Sequence, residues 1–142
     1  MRTVRQLLDA KAPEIHSVPP GAPVIEAIRL MALKGIGAVL VMEGPRLVGI
    51  LSERDYARKV VLEGRSSKDT PVRDIMTADP ITVTPGDDAS RCMRLVTDHR
   101  IRHLPVVEGG SVVGVVSIGD LVAAVIEDQR MELDQLQRYI AG

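Results

Sequence analysis

The 142-residue sequence has almost no aromatic side chains, with two Tyr, no Phe and no Trp. Hydrophobic residues still make up 45% of it, so Val, Ile, Leu, Met and Ala must fill any core. Neither charge is in excess, because the formal net charge is −1, and this argues against the basic footprint of a nucleic-acid-binding protein. No apolar run approaches the roughly 18 residues of a membrane span. We therefore expect neither nucleic acid nor membrane as a partner.

Other absences limit the chemistry that the chain can carry out. A single cysteine, Cys92, excludes an internal disulfide framework, and its place in a helical pattern favours a buried packing residue. The three histidines, His16, His99 and His103, lack metal-ligand spacing, and no Walker, His-Glu-x-x-His or nucleophile-elbow motif is present. We expect no catalytic residue, no metal site and no enzymatic activity. No apolar signal segment follows Met1, so the expected localisation is cytoplasmic.

The sequence does contain an internal repeat with a shift of 65 residues. Val48–Asp55 returns as Val113–Asp120 without a gap, and Val4–Leu8 matches Val72–Met76 at a shift of 68. Such a period indicates two copies of one supersecondary unit, neither of which buries its apolar face alone. We assign repeat 1 to residues 1–65, repeat 2 to residues 66–126, and a C-terminal helical extension to residues 127–142.

Each repeat has the pattern strand, helix, strand, strand, helix, which predicts an α+β fold of two pseudo-symmetric β-α-β-β-α units. Continuously apolar hairpin strands indicate a sheet that helices cover on both faces. Repeat 1 is expected to have strands at 17–18, 39–42 and 47–51, with helices at 24–34 and from 52 to about 64. Repeat 2 is expected to have strands at 81–83, 104–107 and 112–116, with helices that begin after Asp87 or Asp88 and at Ser117. The polar stretch 65–71 is expected to be a linker.

The last helical segment, from Asp120 to Tyr139, keeps one side apolar and the other charged. Two interpretations remain open for it. It either packs back on its own body or packs across a dimer.

The two repeats share a spacing that places a serine and an aspartate at the start of a helix in both copies. Ser52 and Ser117 are expected to be N-caps, with Asp55 and Asp120 at the third helical position. One interpretation is a capping box, which a duplicated fold would duplicate. The other is a nucleotide site, because backbone N–H groups at a helix start suit a phosphate and the carboxylate can accept both hydroxyls of a ribose.

A second set of residues differs between the copies. Where repeat 1 has Gly37-Ala38 before its middle strand, repeat 2 has Arg102-His103. The charged pair is either a solvated strand end or a clamp for a phosphate, to which arginine can donate two hydrogen bonds. Arg54 follows Ser52 by two residues, whereas glycine stands at the corresponding place in repeat 2. The two copies should therefore differ in their affinity for phosphate.

These motifs together resemble a tandem pair of CBS domains (the cystathionine β-synthase type), an arrangement called a Bateman module. The resemblance rests on Gly-Ile-Leu-Ser-Glu-Arg-Asp at 49–55, Gly-Val-Val-Ser-Ile-Gly-Asp at 114–120, Arg-His-Leu-Pro-Val-Val at 102–107 and Val-Arg-Asp-Ile-Met-Thr at 72–77. It implies two clefts between the repeats that bind adenosine derivatives such as AMP, ADP, ATP, NAD or S-adenosylmethionine. It also implies a flat homodimer.

The family pattern further implies that each cleft takes residues from both repeats. The first cleft would combine Ser52, Arg54 and Asp55 with Ile81, Thr82, Arg102 and His103. The second would combine Ser117 and Asp120 with His16, Ser17, Gly37 and Ala38. Since the first set carries the positive charge, we expect it to hold phosphate more tightly, while the second has a neutral entry. His16 is equally well explained as a surface imidazole.

The resulting expectation is a regulatory module that binds an adenine nucleotide, AMP or the adenylate half of NAD, and passes its binding state to a protein partner or dimer interface. The alternative is a structural homodimerisation domain whose clefts bind nothing. Only a ligand-binding module should be stabilised by nucleotide.

Overall fold

A computed structural model of the protein describes residues 2–11 and 14–141. The helices are α1 (Val4–Asp9), α2 (Val24–Lys34), α3 (Glu53–Tyr56), α4 (Ala89–Asp98) and α5 (Ile118–Ala141). The strands are β1 (Ser17–Val18), β2 (Ala38–Glu43), β3 (Arg46–Ser52), β4 (Thr77–Ala78), β5 (His103–Glu108) and β6 (Ser111–Ser117). A π-helical turn, Ala57–Val61, continues α3, and a 3₁₀ turn, Val72–Asp74, precedes β4. The mixed α+β class expected from the sequence is confirmed.

The chain folds into two compact units, and each unit contains residues that belong to the other repeat in the sequence. The repeat-1 unit consists of residues 14–81 and 109–112. The repeat-2 unit consists of the described residues within 1–13, 82–108 and 113–142. The N-terminal segment thus folds with repeat 2, and residues 66–81 fold with repeat 1. The repeat boundaries drawn at 65 and 126 stay a prediction about the sequence.

The repeat-1 unit contains a four-stranded sheet in the order β1-β2-β3-β4. Strand β1 runs parallel to β2, and the other neighbouring pairs are antiparallel. Helix α2 ends at Gly35, which adopts the left-handed conformation (φ 65°) that glycine tolerates best. Its apolar face packs with the sheet in a cluster that also includes two residues from the segment after the expected linker, Val72 and Ile75, both fully buried.

The stretch 65–71, expected to be a linker, is instead an ordered part of the repeat-1 unit. Helix α2 begins after Pro23, whose side chain accepts no hydrogen bond, so the first N–H groups of the helix need other acceptors. The carbonyl of Thr70 accepts from Val24 N at 2.8 Å, and that of Ser67 accepts from Ile25 N at 3.0 Å. Thr70 is buried as a result. These contacts use backbone carbonyls, which every residue has, so the polar composition of the stretch did not reveal that it packs within the repeat-1 unit.

The repeat-2 unit uses the N-terminal segment in the same way. The carbonyl of Arg2 accepts from Ala89 N at 2.8 Å, at the start of α4, and Val4 N donates to Asp87 O at 2.8 Å. Val4 and Leu7 of α1 are buried, in positions that match Val72 and Ile75 at the shift of 68 residues. Each unit therefore completes its core and caps one helix with a segment that precedes the other repeat.

Two details of repeat 2 differ from the sequence expectation. The strand expected at 81–83 reduces to a single parallel bridge between Val83 and Val106. Both acidic candidates for the helix cap are used: Asp88 accepts from Arg91 N at 2.8 Å, while Asp87 accepts from Thr84 N at 2.8 Å and closes the preceding turn. Because Asp87 fixes this turn immediately after Val83, only a short extended stretch is left to pair.

Cys92 lies fully buried on α4, as expected of a packing residue. Its burial, with Asp87 and Asp88 nearby, raises the pKa of the thiol, so the reactive thiolate is disfavoured.

Helix α5 packs into its own unit over its first three turns, up to Asp128, which accepts a 3.1 Å hydrogen bond from Arg2 Nε. Leu121 and Ala124 are its buried residues, whereas Ile126, Leu133 and Leu136 are 52%, 59% and 54% exposed. Of the two interpretations left open for this helix, packing back on its own body thus applies up to Asp128, and residues 129–141 are exposed.

Candidate functional site

The serine and aspartate of repeat 1 form a complete capping box where β3 gives way to α3. Ser52 N donates to Asp55 Oδ2 at 2.9 Å, and Asp55 N donates to Ser52 Oγ at 3.2 Å. The Ser52 hydroxyl also contacts Asp55 Oδ2 at 3.1 Å. Oδ2 therefore faces the cap, and the second oxygen, Oδ1, lies 3.5 Å from Lys59 Nζ one turn along the same helical segment.

The corresponding residues of repeat 2 form the same contacts. Ser117 N donates to Asp120 Oδ2 at 2.8 Å, and Asp120 N donates to Ser117 Oγ at 3.1 Å. The capping interpretation is therefore confirmed in both copies. It is compatible with ligand binding, since an ionised carboxylate offers about four lone-pair sites and each cap uses only part of them.

The backbone N–H groups at both helix starts are largely occupied within their units. Glu53 N donates to Gly37 O at 3.0 Å, and Ile118 N donates to Arg102 O at 2.8 Å. With the third N–H bound to the capping serine, two of the first three donors are used in each copy. The expectation that these helix starts offer free donors to a phosphate is therefore wrong for those two positions. In each copy, the carbonyl of the residue just before the middle strand, Gly37 or Arg102, lies against the start of the helix and accepts its first N–H.

In the repeat-1 unit, six predicted site residues gather at one end of the sheet. Ala38 pairs with Ser52, and Ser17 pairs with Leu40, whose N–H donates to His16 O at 3.0 Å. The starts of β1 and β2 and the end of β3 thus lie together: His16, Ser17, Gly37, Ala38, Ser52 and Asp55. The His16 imidazole is 18% exposed and contacts the exposed Glu14 at 3.1 Å, so it is half-buried, and its role as a ligand contact stays a prediction.

The remaining predicted site residues fall into the two units separately. Arg54 is exposed on α3, and Ile81 is half-buried at the end of the repeat-1 unit. In the repeat-2 unit, Thr82 and Arg102 are exposed and His103 is half-buried at the start of β5. The sharing of each site between repeats stays a prediction.

The structure also brings a cation to Asp120 that the sequence interpretation missed. Lys11 Nζ donates to Asp120 Oδ2 at 2.7 Å and to the carbonyl of Val115 at 2.6 Å. Burial of Asp120 by itself raises its pKa, but the hydrogen bonds from Lys11 and Ser117 outweigh it and hold the pKa below its ordinary value. The neutral entry expected at Gly37-Ala38 stays a prediction, but the sequence interpretation did not include a cation at Asp120. The repeat alignment pairs the N-terminal segment with residues 72–79, but the structure was needed to show that each of these segments folds with the other copy.

Over residues 2–11 and 14–141, no cluster of three His, Cys, Asp or Glu side chains is placed to hold a metal ion. Within the same residues, no helix is long and apolar enough to cross a membrane.

Comparison with known families identifies the chain. The model of the CBS domain matches residues 4–62 and 72–127, which together make up most of the sequence. The chain therefore belongs to the CBS-domain family and carries two CBS domains in tandem.

Three relatives illustrate how far the similarity extends. The CBS domain-containing protein CBSX3, mitochondrial, of Arabidopsis thaliana is 48% identical over 124 residues, 84% of this chain, and the match spans 60% of the length of that relative. A structure of a protein with CBS domains from Burkholderia ambifaria MC40-6 is 53% identical, with a TM-score of 0.87 over 90% of this chain and 96% of that one. A CBS domain protein of Pyrobaculum aerophilum complexed with AMP is 32% identical, with a TM-score of 0.75 over 84% and 89% of the two chains.

Proposed function

We propose that this protein is a regulatory module that binds adenine nucleotides, AMP or the adenylate half of NAD, at its two Ser-x-x-Asp helix starts. The observation that carries the proposal is the duplicated placement of a partly buried carboxylate beside a capping serine. The AMP complex of the Pyrobaculum aerophilum relative supports the choice of ligand. Binding is then passed on to a protein partner or to a dimer interface, which requires different ligand affinities in two states.

The aspartates are the residues best suited to recognise the sugar. A carboxylate that already accepts two hydrogen bonds from its own cap is held in one orientation, which lowers the entropy lost on binding. Asp55 keeps Oδ1 on the side away from the cap, where a ribose diol could donate to it. Ser52, Arg54 and Asp55 form the first proposed site together with four residues of the other repeat: Ile81, Thr82, Arg102 and His103.

The phosphate of the nucleotide requires cations rather than helix N–H groups, because most of those groups are already bonded. Arg102 is exposed at the entry to β5 and presents a guanidinium group suited to two hydrogen bonds with a phosphate. We assign it this role, with Arg54 as the second cation of the same site. Ser117 and Asp120 form the other proposed site, with His16, Ser17, Gly37 and Ala38.

A thermal-shift measurement with Asp55→Ala tests the proposal. At a hundred times its dissociation constant, AMP should stabilise the wild-type protein by about 2.7 kcal/mol, which raises Tm by several degrees. Asp55→Ala should reduce this increase, measured against the same variant without AMP, because the ribose acceptor of the first site is lost while the Ser117–Asp120 site remains. Asp88→Ala is the matched control, since it also removes a capping carboxylate but lies outside the proposed sites.

The results separate the two functions considered for the chain. An AMP-induced increase in Tm that survives Asp88→Ala and is reduced in Asp55→Ala supports the nucleotide module. Arg102→Ala should reduce the increase for AMP more than for adenosine, since only AMP carries a phosphate. No stabilisation by any adenine nucleotide would favour the purely structural homodimerisation domain.

We also propose that the chain forms a homodimer through the distal part of α5. Exposed positions recur at alternating intervals of four and three residues, the heptad spacing of a coiled-coil seam. The seam consists of Val122, Ile126, Gln129, Leu133, Leu136 and Ile140. Its five apolar members are 44% to 75% exposed. A second copy of the same helix offers the complementary seam, and a single polar position, Gln129, can set the register.

Sedimentation analysis of Leu133→Glu tests this arrangement. The wild-type chain should sediment as a dimer and the variant as a monomer, because a charge at the centre of the seam cannot be buried without a partner. Met131→Glu is the control, since Met131 is 50% exposed but lies off the seam. A wild-type monomer, or a dimer that Leu133→Glu leaves intact, would contradict the proposal.

A further inference from the structure

The two proposed sugar-binding carboxylates have different cationic neighbours. Asp55 lies 3.5 Å from Lys59, which belongs to the same helical segment, and Lys59 Nζ donates its hydrogen bond to the carbonyl of Ile75 at 3.0 Å. Asp120 accepts a 2.7 Å hydrogen bond from Lys11, a residue 109 positions away in the sequence. The contact to Asp120 is therefore a direct charge-assisted hydrogen bond, while the contact to Asp55 is not.

Lys11 is held in place by its whole segment. Its ammonium group has a second acceptor, the carbonyl of Val115 at 2.6 Å. Helix α1, directly before it, is anchored through buried Val4 and Leu7. Leu8 fits closely over Gly114, where a Cβ atom would lie 2.7 Å from Leu8 Cδ2. Packing within the repeat-2 unit therefore fixes the backbone that leads to Lys11, while the side chain itself is 39% exposed.

Repeat 1 has no equivalent of this cation. The shift of 68 residues that aligns Val4 with Val72 aligns Lys11 with Asp79, an acidic residue. Conversely, Lys59 of repeat 1 aligns with Ala124, which is buried in repeat 2. The Lys11 contact is thus a feature of one site only.

We propose that Lys11 sets the affinity and the charge preference of the Ser117–Asp120 site by competing with the ribose for Asp120. The inference rests on the proposed function of that site. When the site is empty, the ammonium group occupies the carboxylate oxygen that also faces the cap. A neutral nucleoside whose diol donates to both carboxylate oxygens must displace Lys11 from Oδ2, and it offers the ammonium group no new anionic partner. A nucleotide that carries a phosphate supplies a new anionic partner for the displaced ammonium group, so the site favours nucleotides over nucleosides.

The test compares AMP with adenosine by calorimetric titration of the full-length chain in the Asp55→Ala background, which leaves Asp120 as the remaining proposed sugar acceptor. Lys11→Met should bind adenosine about threefold to tenfold more tightly, because the competing hydrogen bond is gone. The same variant should gain less for AMP, so the ratio of the adenosine to the AMP dissociation constant falls. Lys11→Arg should keep the ratio of the parent. Lys34→Met removes a positive charge at the end of α2 and should leave both constants unchanged.

Each outcome bears on a specific statement. Tighter adenosine binding and a lower ratio in Lys11→Met, with the parent ratio in Lys11→Arg, support the role of Lys11. An unchanged ratio, or weaker adenosine binding, would overturn it while leaving the proposed function intact. Absence of binding in the Asp55→Ala parent, when the wild-type chain binds AMP, would overturn the role of Lys11 because the site takes no ligand. Absence of binding in the wild-type chain would overturn the proposed function itself.

Discussion

The two helix starts have the same sequence motif and the same capping box, yet their carboxylates experience different surroundings. Asp55 has a lysine of its own helical segment at 3.5 Å, and Asp120 has a lysine of the N-terminal segment at 2.7 Å. The capping contacts are local and therefore repeat with the motif. The cations come from positions that differ between the copies, since Lys11 aligns with Asp79 and Lys59 with Ala124, so the electrostatics differ. A repeated motif thus predicts the backbone geometry of a site, but it does not predict which ligand the site prefers.

The largest expected changes in the free energy of unfolding come from the two segments that fold with the other repeat, the N-terminal segment and residues 66–81. Ile75→Ala removes a fully buried side chain from the repeat-1 unit, and Leu7→Ala removes its counterpart, 5% exposed, from the repeat-2 unit. We expect each to lower the free energy of unfolding by about 2 to 4 kcal/mol, because each leaves a cavity in a core. Urea denaturation measures both. Leu62→Ala, at an exposed residue, should change stability by less than about 0.5 kcal/mol. If Leu7→Ala were as mild as Leu62→Ala, the N-terminal segment would not be part of the repeat-2 core.

The glycines before the two capping motifs should differ in their tolerance to alanine. A Cβ at Gly49 would lie 2.5 Å from Met76 Sδ and 2.9 Å from the carbonyl oxygen of Thr77. A Cβ at Gly114 would meet only the end of the Leu8 side chain, at 2.7 Å. Since a backbone atom yields less readily than a side chain, Gly49→Ala should cost about 2 to 3 kcal/mol and Gly114→Ala about 1 kcal/mol. Thermal unfolding of both variants checks the order, and the reverse order would contradict it.

The contribution of Asp120 to stability should depend on pH, with an effect smaller than those of the substitutions above. Its pKa is lowered in the folded protein, so its contribution to stability is present above about pH 4, the ordinary range of an aspartate, and is lost as the pH falls through the folded value. Asp120→Asn should therefore destabilise the protein at pH 7, by less than about 1 kcal/mol because the pair is partly exposed, and the deficit should shrink toward pH 3. Unfolding by urea across this range measures it. A deficit that is constant with pH would show that the charge of Asp120 adds no stability.

The local features of the fold could be predicted from the sequence because they depend on neighbouring residues. The boundaries of α2, both hairpins and both capping boxes follow from apolar spacing, turn residues and the Ser-x-x-Asp pattern. Gly35 at the end of α2 is one such signal. Its counterpart in repeat 2 is Arg100, which adopts the same left-handed conformation (φ 54°) that few side chains favour, and no sequence pattern predicted that.

What the sequence did not reveal depends on contacts between distant segments. Residues 66–71 look like a linker because Thr70 and Ser67 act through their carbonyls, and carbonyls are common to all residues. The same reason hid the acceptors that occupy the helix N–H groups, at Gly37 and Arg102. Lys11 was missed because Asp120 lies 109 residues away in the sequence and only the fold shows that both belong to the repeat-2 unit. The side chains in the sequence predicted the candidate site residues. They did not predict the carbonyls and the lysine that form hydrogen bonds with those residues.

The central claim is that the two capping aspartates are sugar acceptors. The most direct measurement is a calorimetric titration of AMP into the wild-type chain and into the double variant Asp55→Ala/Asp120→Ala, after circular dichroism has shown that both are folded. The account predicts saturable binding to the wild-type chain and no detectable binding to the double variant. Equal affinity for AMP in the two proteins would contradict it.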